Sequence, residues 1–348
     1  MKAILPAFLS CQGARLSDDE KRLFERYNPL GVCLFSKFCA NIQNKEQVRA
    51  LVQDIKEAIG REDVLIATDQ EGGRVRRLVE PEFTAVAAQQ KLTTAEMVQM
   101  HAYLIAKDMK DCGINVNFAP VLDTPNEKTS SVLQGRCFEK NIAELGRSMV
   151  EEYIKCGICP CVKHLPGHGR ATVDPHLELP VITEDLETLQ TDFAPFKALN
   201  DAPMGMVAHI VLTAVDADNA TTVSEKVIKE IIRRQIGFRG LLVSDAIVMR
   251  ALKGTIAERA QRSIAAGCDI ICLGNAGFEA NVALCESGIK LSEQAEEYLK
   301  KIIKLTENKE NFINYEYVKN KYCAELKNII SYDYNYDATE VLNRLRNA

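Results

Sequence analysis

Eight short apolar runs recur over the first 275 residues, and this recurrence constrains the fold more than any single motif. They are "AILPAFL" (3–9), "GVCLF" (31–35), "VLIATD" (64–69), "NVNFAPVLD" (115–123), "CPCVKH" (159–164), "MGMVAHI" (204–210), "GLLVSD" (240–245) and "CDIICLG" (268–274). Each is bounded by Gly, Pro or polar residues. Continuous apolar character over so few residues is what strands buried on both faces of a parallel sheet show.

Helical patterns fill the intervals. "NKEQVRALVQDIKEAIG" (44–60) spaces its apolar residues by three and four and ends on Gly. "TEDLETLQTDFAPFKAL" (183–199) opens with Thr and early acids, as a capped helix does. "SEKVIKEIIRRQIG" (224–237) and "TIAERAQRSIAAG" (255–267) run from a capping hydroxyl to a closing Gly. Eight strands alternating with helices predict an α/β chain folded as a (β/α)8 TIM-type barrel. The barrel is expected over residues 1–305. From residue 306 the composition turns to Asn, Lys and Tyr, so 306–348 reads as a short C-terminal appendage packed on the barrel. No internal repeat or Gly/Ser linker divides the chain.

A net charge of −5 over 348 residues argues against nucleic acid or anionic membrane as partner, since both select basic surfaces. Several of the twelve cysteines sit inside apolar runs, the usage of free core thiols in a reducing compartment, so a cytoplasmic protein is expected. "CGICPC" (156–161) holds a C-x-x-C, but the spacing is not repeated and the segment runs straight into an apolar stretch. "MKAILPAFLSC" faintly resembles a lipoprotein leader; its apolar run is short and holds a proline, and it reads better as a first strand. No apolar run reaches the roughly 20 residues that span a bilayer. A monomer or weak dimer is expected.

The chemistry gathers at strand ends. Asp69, Asp123, Lys163 with His164, His209 and Asp245 follow five successive runs. A barrel brings the C-terminal ends of its strands to one face, so these residues describe a polar pocket. Singly, Asp123 reads equally as a turn residue and His209 as a hydrogen-bonded core histidine. Asp245 ends an apolar strand and precedes an apolar segment; a carboxylate so placed suits a nucleophile aimed into a pocket, or else a helix N-cap.

The stretch "KHLPGHGRATVDPH" (163–176) follows the fifth run. Gly167 and Gly169 let it fold back over the pocket. Asp174 and His176, joined through Pro175, place a carboxylate against an imidazole; that pairing fixes the tautomer and favours the charged ring, making His176 a proton donor near neutral pH. The rival is a metal site, because His164, His168, Asp174 and His176 are all competent ligands. Against it, the Gly-Pro loop breaks any helix that would hold ligands at regular spacing.

These residues resemble glycoside hydrolase family 3, and within it the single-domain bacterial β-N-acetylglucosaminidases of cell-wall recycling. "KHLPGHG" and "DPH" are similar to the family's K-H-F-P-G-H-G and D-S-H; "TDQEGGRVRRL" (68–78) resembles its D-Q-E-G-G-R-V; "FAPVLD" (118–123), "GFRGLLVSDAIVM" (237–249) and "AAGCDIICLGN" (265–275) complete the series. The resemblance spans roughly residues 3–305. It implies Asp245 as the nucleophile that forms a glycosyl-enzyme and His176 as acid/base oriented by Asp174. It implies Asp69, Arg77, Arg136, Lys163 and His164 as ligands of the sugar, with no metal and no cofactor. Two-domain relatives borrow an acid/base from a second domain; the resemblance implies that a single-domain chain of this length is expected to carry it on its own loop.

Three departures stand out. The family's D-R-S-F is "GRCF" (135–138), leaving Arg136 without its usual acidic neighbour. Ala246 follows the nucleophile where many relatives have Asp, and Pro175 replaces Ser. The chain has no Trp, so sugar recognition is expected to rest on charged hydrogen bonds. The expected activity is a retaining exo-β-N-acetylglucosaminidase acting on a peptidoglycan-derived muropeptide, GlcNAc–1,6-anhydro-MurNAc and its peptide forms. A GlcNAc phosphorylase, a β-glucosidase and a catalytically dead sugar sensor are the alternatives.

Overall fold

A computed structural model describes residues 2–36, 39–307 and 312–326. Its main sheet has eight strands, all paired in parallel. In chain order the ten described strands are β1 (Leu5–Leu9), β2 (Pro29–Cys33), β3 (Leu65–Thr68), β4 (Val116–Asn117), β5 (Cys159–Leu165), β6 (Val181–Ile182), β7 (Met204–Val207), β8 (Val211–Leu212), β9 (Leu241–Ser244) and β10 (Ile271–Cys272). The sheet runs β10-β1-β2-β3-β4-β5-β7-β9. Its free edges meet through a parallel bridge between Val243 and Ile270, with Ser244 N donating to Ile270 O at 2.9 Å. This is the expected (β/α)8 barrel, with its eight strands drawn from the eight apolar runs.

The helices are α1 (Asp18–Tyr27), α2 (Lys45–Ile59), α3 (Ala95–Asp111), α4 (Ile142–Lys155), α5 (Gln190–Ala198), a π-wound helix at Val227–Ile236, α6 (Ile256–Ala266), α7 (Phe278–Cys285), α8 (Glu293–Thr306) and α9 (Tyr315–Glu325). Local chemistry sets their ends. Asn44 caps α2 and Gly60 closes it in the left-handed region. Thr255 and Glu258 form a capping box on α6, and Gly267 closes it. One core fills the barrel, where Phe8, Cys33, Leu65, Phe118, Cys161, Met206 and Val243 pack together; Phe8 meets Phe118 edge to face at 5.6 Å. Ala295, Leu299 and Ile302 of α8 join this cluster against β5 and β9. Other clusters lie between strands and helices.

The structure corrects three readings. The helix expected from Thr183 begins at Gln190, because Asp185 accepts the Thr188 N–H in a turn of its own. The fourth run does not stay a strand to Asp123. Its pairing stops at Asn117, and a single bridge from Val121 to Lys163 carries the chain on. The two-residue strands β6 and β8 pair with each other outside the barrel and were not expected. Of the C-terminal stretch, α9 lies against α3, with Tyr322 and Leu326 buried; residues 308–311 and 327–348 of the expected appendage lie outside the described residues. None of the described helices is long and apolar enough to cross a membrane.

Candidate active site

A pocket open to solvent sits at the C-terminal ends of the barrel strands. Its wall includes Asp69, Arg77, Arg136, Lys163, His164, His176 and Asp245, which are seven of the eight residues singled out for catalysis or binding. The eighth, Asp174, stands directly behind His176. The strands β3, β5 and β9 bring Asp69, Lys163, His164 and Asp245 to this cavity, and loops at the same end add Arg77, Arg136 and His176.

Asp245 leaves β9 with its N–H donated to Val207 O at 3.0 Å. Its Oδ1 accepts the N–H of Ala246 at 2.7 Å, and the next helix starts only at Ile256, so it caps no helix. Burial acts to raise its pKa. The imidazoles of His209 and His164, the Ala246 N–H and the imidazole of His176 outweigh burial and hold it below the ordinary aspartate value. It is therefore a carboxylate at neutral pH, facing the cavity.

Asp174 is buried, and its Oδ1 accepts both the backbone N–H of His176 at 2.9 Å and the ring Nδ1–H at 2.6 Å. That fixes the tautomer: Nε2 is the nitrogen left to exchange a proton. Leu177 N and Glu178 N donate to Asp174 O, so the DPH turn is a built element.

The cationic side of the pocket is a network. Lys163, on β5, reaches Asp69 Oδ1 at 2.9 Å and Glu71 Oε1 at 2.6 Å. Arg136 grips Glu71 with both arms, Nε to Oε2 and Nη2 to Oε1, each 2.8 Å. Arg77 lies 3.4 Å from Asp69 and stacks its guanidinium 5.0 Å from the Phe35 ring. Burial acts to raise Glu71, but the charges of Arg136 and Lys163 overcome it and hold the carboxyl far below the usual range. Burial likewise opposes the charge on Lys163, and Asp69 and Glu71 more than restore it. Such a cluster stands only because its charges are mutually paired.

Glu71 is the functional residue that sequence reasoning missed. It answers the departure at "GRCF": Arg136 lacks an acidic neighbour in sequence and takes its carboxylate from across the pocket. The signal was present in "DQEGG", where an acid two residues past Asp69 enters a glycine turn. Gly72 adopts φ +101°, and a Cβ there would stand 2.2 Å from Ala87 O, so only glycine lets the turn pass this close.

Asp123 is neither an isolated turn residue nor a pocket wall. It accepts His164 Nδ1–H at 2.7 Å and the backbone N–H of His168 at 2.7 Å, which leaves His164 Nε2 as the free acceptor of the ring. His209 is the core histidine of the two readings: Nδ1 lies 2.7 Å from Thr222 Oγ1 and Nε2 3.2 Å from Ala246 O, steadying the residue after Asp245. His168 lines the pocket, and burial pushes its pKa down to about 4. Among the described residues, no group of three or more His, Cys, Asp or Glu is placed to hold a metal ion. Cys159 and Cys161 of the C-x-x-C region are buried, and burial raises both thiols, the opposite of what a reactive cysteine needs.

A parallel barrel that brings an ionised aspartate, an Asp–His dyad and a cationic wall to one pocket has the groups a glycoside hydrolase needs. The chain matches the model of the glycosyl hydrolase family 3 N-terminal domain over residues 7–305, and it belongs to that family. Within it, the chain stands with the β-hexosaminidases. It is 35% identical over 287 residues to a beta-hexosaminidase from Bordetella avium, covering 78% of this chain and 80% of that one. Its fold superposes on NagZ from Neisseria gonorrhoeae, solved with N-trifluoroacetyl-D-glucosamine, with a TM-score of 0.81 at 28% identity over 92% of this chain and 98% of that one. A family 3 β-N-acetylglucosaminidase from Paenibacillus superposes with a TM-score of 0.77 at 25% identity; this chain is covered to 98% and spans 66% of that protein.

Proposed function

We propose that this enzyme is a retaining exo-β-N-acetylglucosaminidase that releases terminal β-linked GlcNAc from GlcNAc–1,6-anhydro-MurNAc and its peptide forms, in the cytoplasm, during cell-wall recycling. The observation that carries the reading is the Asp174–His176 dyad, closed at 2.6 Å, on the same cavity as the ionised Asp245. The imidazolium of His176 gives its Nε2 proton to the glycosidic oxygen while Asp245 attacks the anomeric carbon and the C–O bond to the leaving sugar breaks. The neutral ring then takes a proton from water, whose oxygen displaces Asp245 and frees GlcNAc. Asp174 stabilises the imidazolium and keeps Nδ1 turned away.

The rest of the pocket suits a hydroxyl-rich ring. Buried Arg77 Nε and both ring nitrogens of His168 have no hydrogen-bond partner among the described residues, and a sugar supplies donors and acceptors there. The Neisseria relative's N-acyl glucosamine ligand supports the same class of ligand here. Asp245→Ala abolishes turnover of 4-nitrophenyl β-N-acetylglucosaminide with the fold intact, by circular dichroism. Near-normal activity in that variant overturns the assignment of the nucleophile, and preference for the matching glucoside overturns the assignment of the sugar.

A further inference from the structure

A buried chain of hydrogen bonds runs from α9 to the cationic wall of the pocket. Tyr322, fully buried on α9, accepts the backbone N–H of Ala87 at 3.0 Å and lies 2.8 Å from Nδ1 of His101 on α3. The other ring nitrogen, Nε2, lies 3.1 Å from the carbonyl oxygen of Glu71. A carbonyl only accepts, so Nε2 carries the hydrogen. Nδ1 of the neutral ring is then the acceptor, and Tyr322 O–H donates to it. Each donor has one acceptor, and the directions close without contradiction. Burial that pushes His101 down to about 4 keeps the ring neutral, as this arrangement requires.

What the chain holds is the Glu71 turn. Gly73 N donates to Val86 O, and a Cβ on Gly72 would meet both Ala87 O and the His101 ring. The turn is thus pinned between the Val86–Ala88 segment and His101, and Tyr322 braces both. Glu71, at its start, grips Lys163 and Arg136, two of the cations that line the pocket. We propose that Tyr322 is a positioning residue for sugar binding: α9, outside the barrel proper, sets the place of Glu71 and through it the two cations.

This rests on the reading of the pocket as the sugar site. Affinity for GlcNAc is measured by calorimetry on the full-length wild type, Tyr322→Phe, His101→Gln, the double variant and Tyr315→Phe. Tyr315 sits on the same helix and bonds Thr84, not the Glu71 turn, so its variant removes one hydrogen bond of α9 and none of the chain. The proposal expects Tyr322→Phe and His101→Gln each to weaken GlcNAc by up to about tenfold, the scale of one hydrogen bond lost. The double variant is no weaker than either single one, because both interrupt one path. Tyr315→Phe lowers Tm yet leaves affinity as in wild type. Unchanged affinity in Tyr322→Phe, additive losses in the double variant, or an equal loss in Tyr315→Phe overturns the positioning role. No GlcNAc binding by the wild type overturns the reading of the pocket instead. Should Tyr322→Phe not fold, His101→Gln alone decides: an unweakened affinity overturns the chain.

Discussion

Two cations of the pocket share one buried carboxylate, so the network depends most on Glu71. Glu71→Gln keeps the shape but leaves Lys163 and Arg136 short of a buried counter-charge, a change of the kind that costs roughly 3–5 kcal/mol. Both KM for 4-nitrophenyl β-N-acetylglucosaminide and Tm are expected to suffer, KM by about tenfold or more and Tm by several degrees; a variant indistinguishable from wild type in both contradicts the network. Asp174→Asn tests the dyad differently. An amide cannot stabilise the imidazolium, so kcat is expected to fall by about a hundredfold or more, with KM little changed. A loss confined to KM contradicts the acid/base reading. The residues legible in sequence were those whose position follows from topology: Asp69, Lys163, His164 and Asp245 end strands, and a barrel gathers strand ends. Asp174 and His176 were legible as a pair because their bond is local. Glu71 was not, since its partners are Arg136 and Lys163, 65 and 92 residues away, and spacing carries no trace of them.

At the scale of elements, the sequence spoke clearly where caps and periodicity agreed. Asn44 with Gly60 and Thr255 with Gly267 bounded their helices within a residue of the expected ends. The segment from Thr183 misled because early acids and a hydroxyl cap a helix and form a local turn equally well; Asp185 chose the turn. The β6–β8 pair was invisible, since two residues have no period and Val181 is exposed. Two glycines give a quantitative contrast. Gly60 has φ +76° and open space around its would-be Cβ, so Gly60→Ala bears only the left-handed penalty, about 1–2 kcal/mol. Gly72→Ala adds a collision with the Ala87 carbonyl and is expected to cost clearly more, by denaturant unfolding, and to weaken GlcNAc because the turn carries Glu71. Equal costs contradict the close approach.

For the whole molecule, the buried imidazoles set a pH dependence. His101 and His168 are depressed from 6.5 to about 4 in the folded state, so in that interval the unfolded chain binds more protons. Stability therefore rises with pH across the window and is lost as pH falls from about 6.5 toward 4, by roughly 3 kcal/mol per ring at most. Below that, Glu71 continues the trend: its depressed carboxyl contributes above the ordinary glutamate range and loses its contribution as acid protonates it. Urea midpoints at pH 7, 5.5 and 4.5 are expected to descend in that order; a flat or rising series contradicts the assignment of neutral buried rings. The proposed double displacement at Asp245, with His176 as acid and then base, fixes which anomer is released. Proton NMR of GlcNAc–1,6-anhydro-MurNAc during rapid hydrolysis reads this directly. Two displacements release the β-anomer of GlcNAc first, which then mutarotates to the α form; first appearance of the α-anomer means a single displacement and contradicts a glycosyl-enzyme on Asp245.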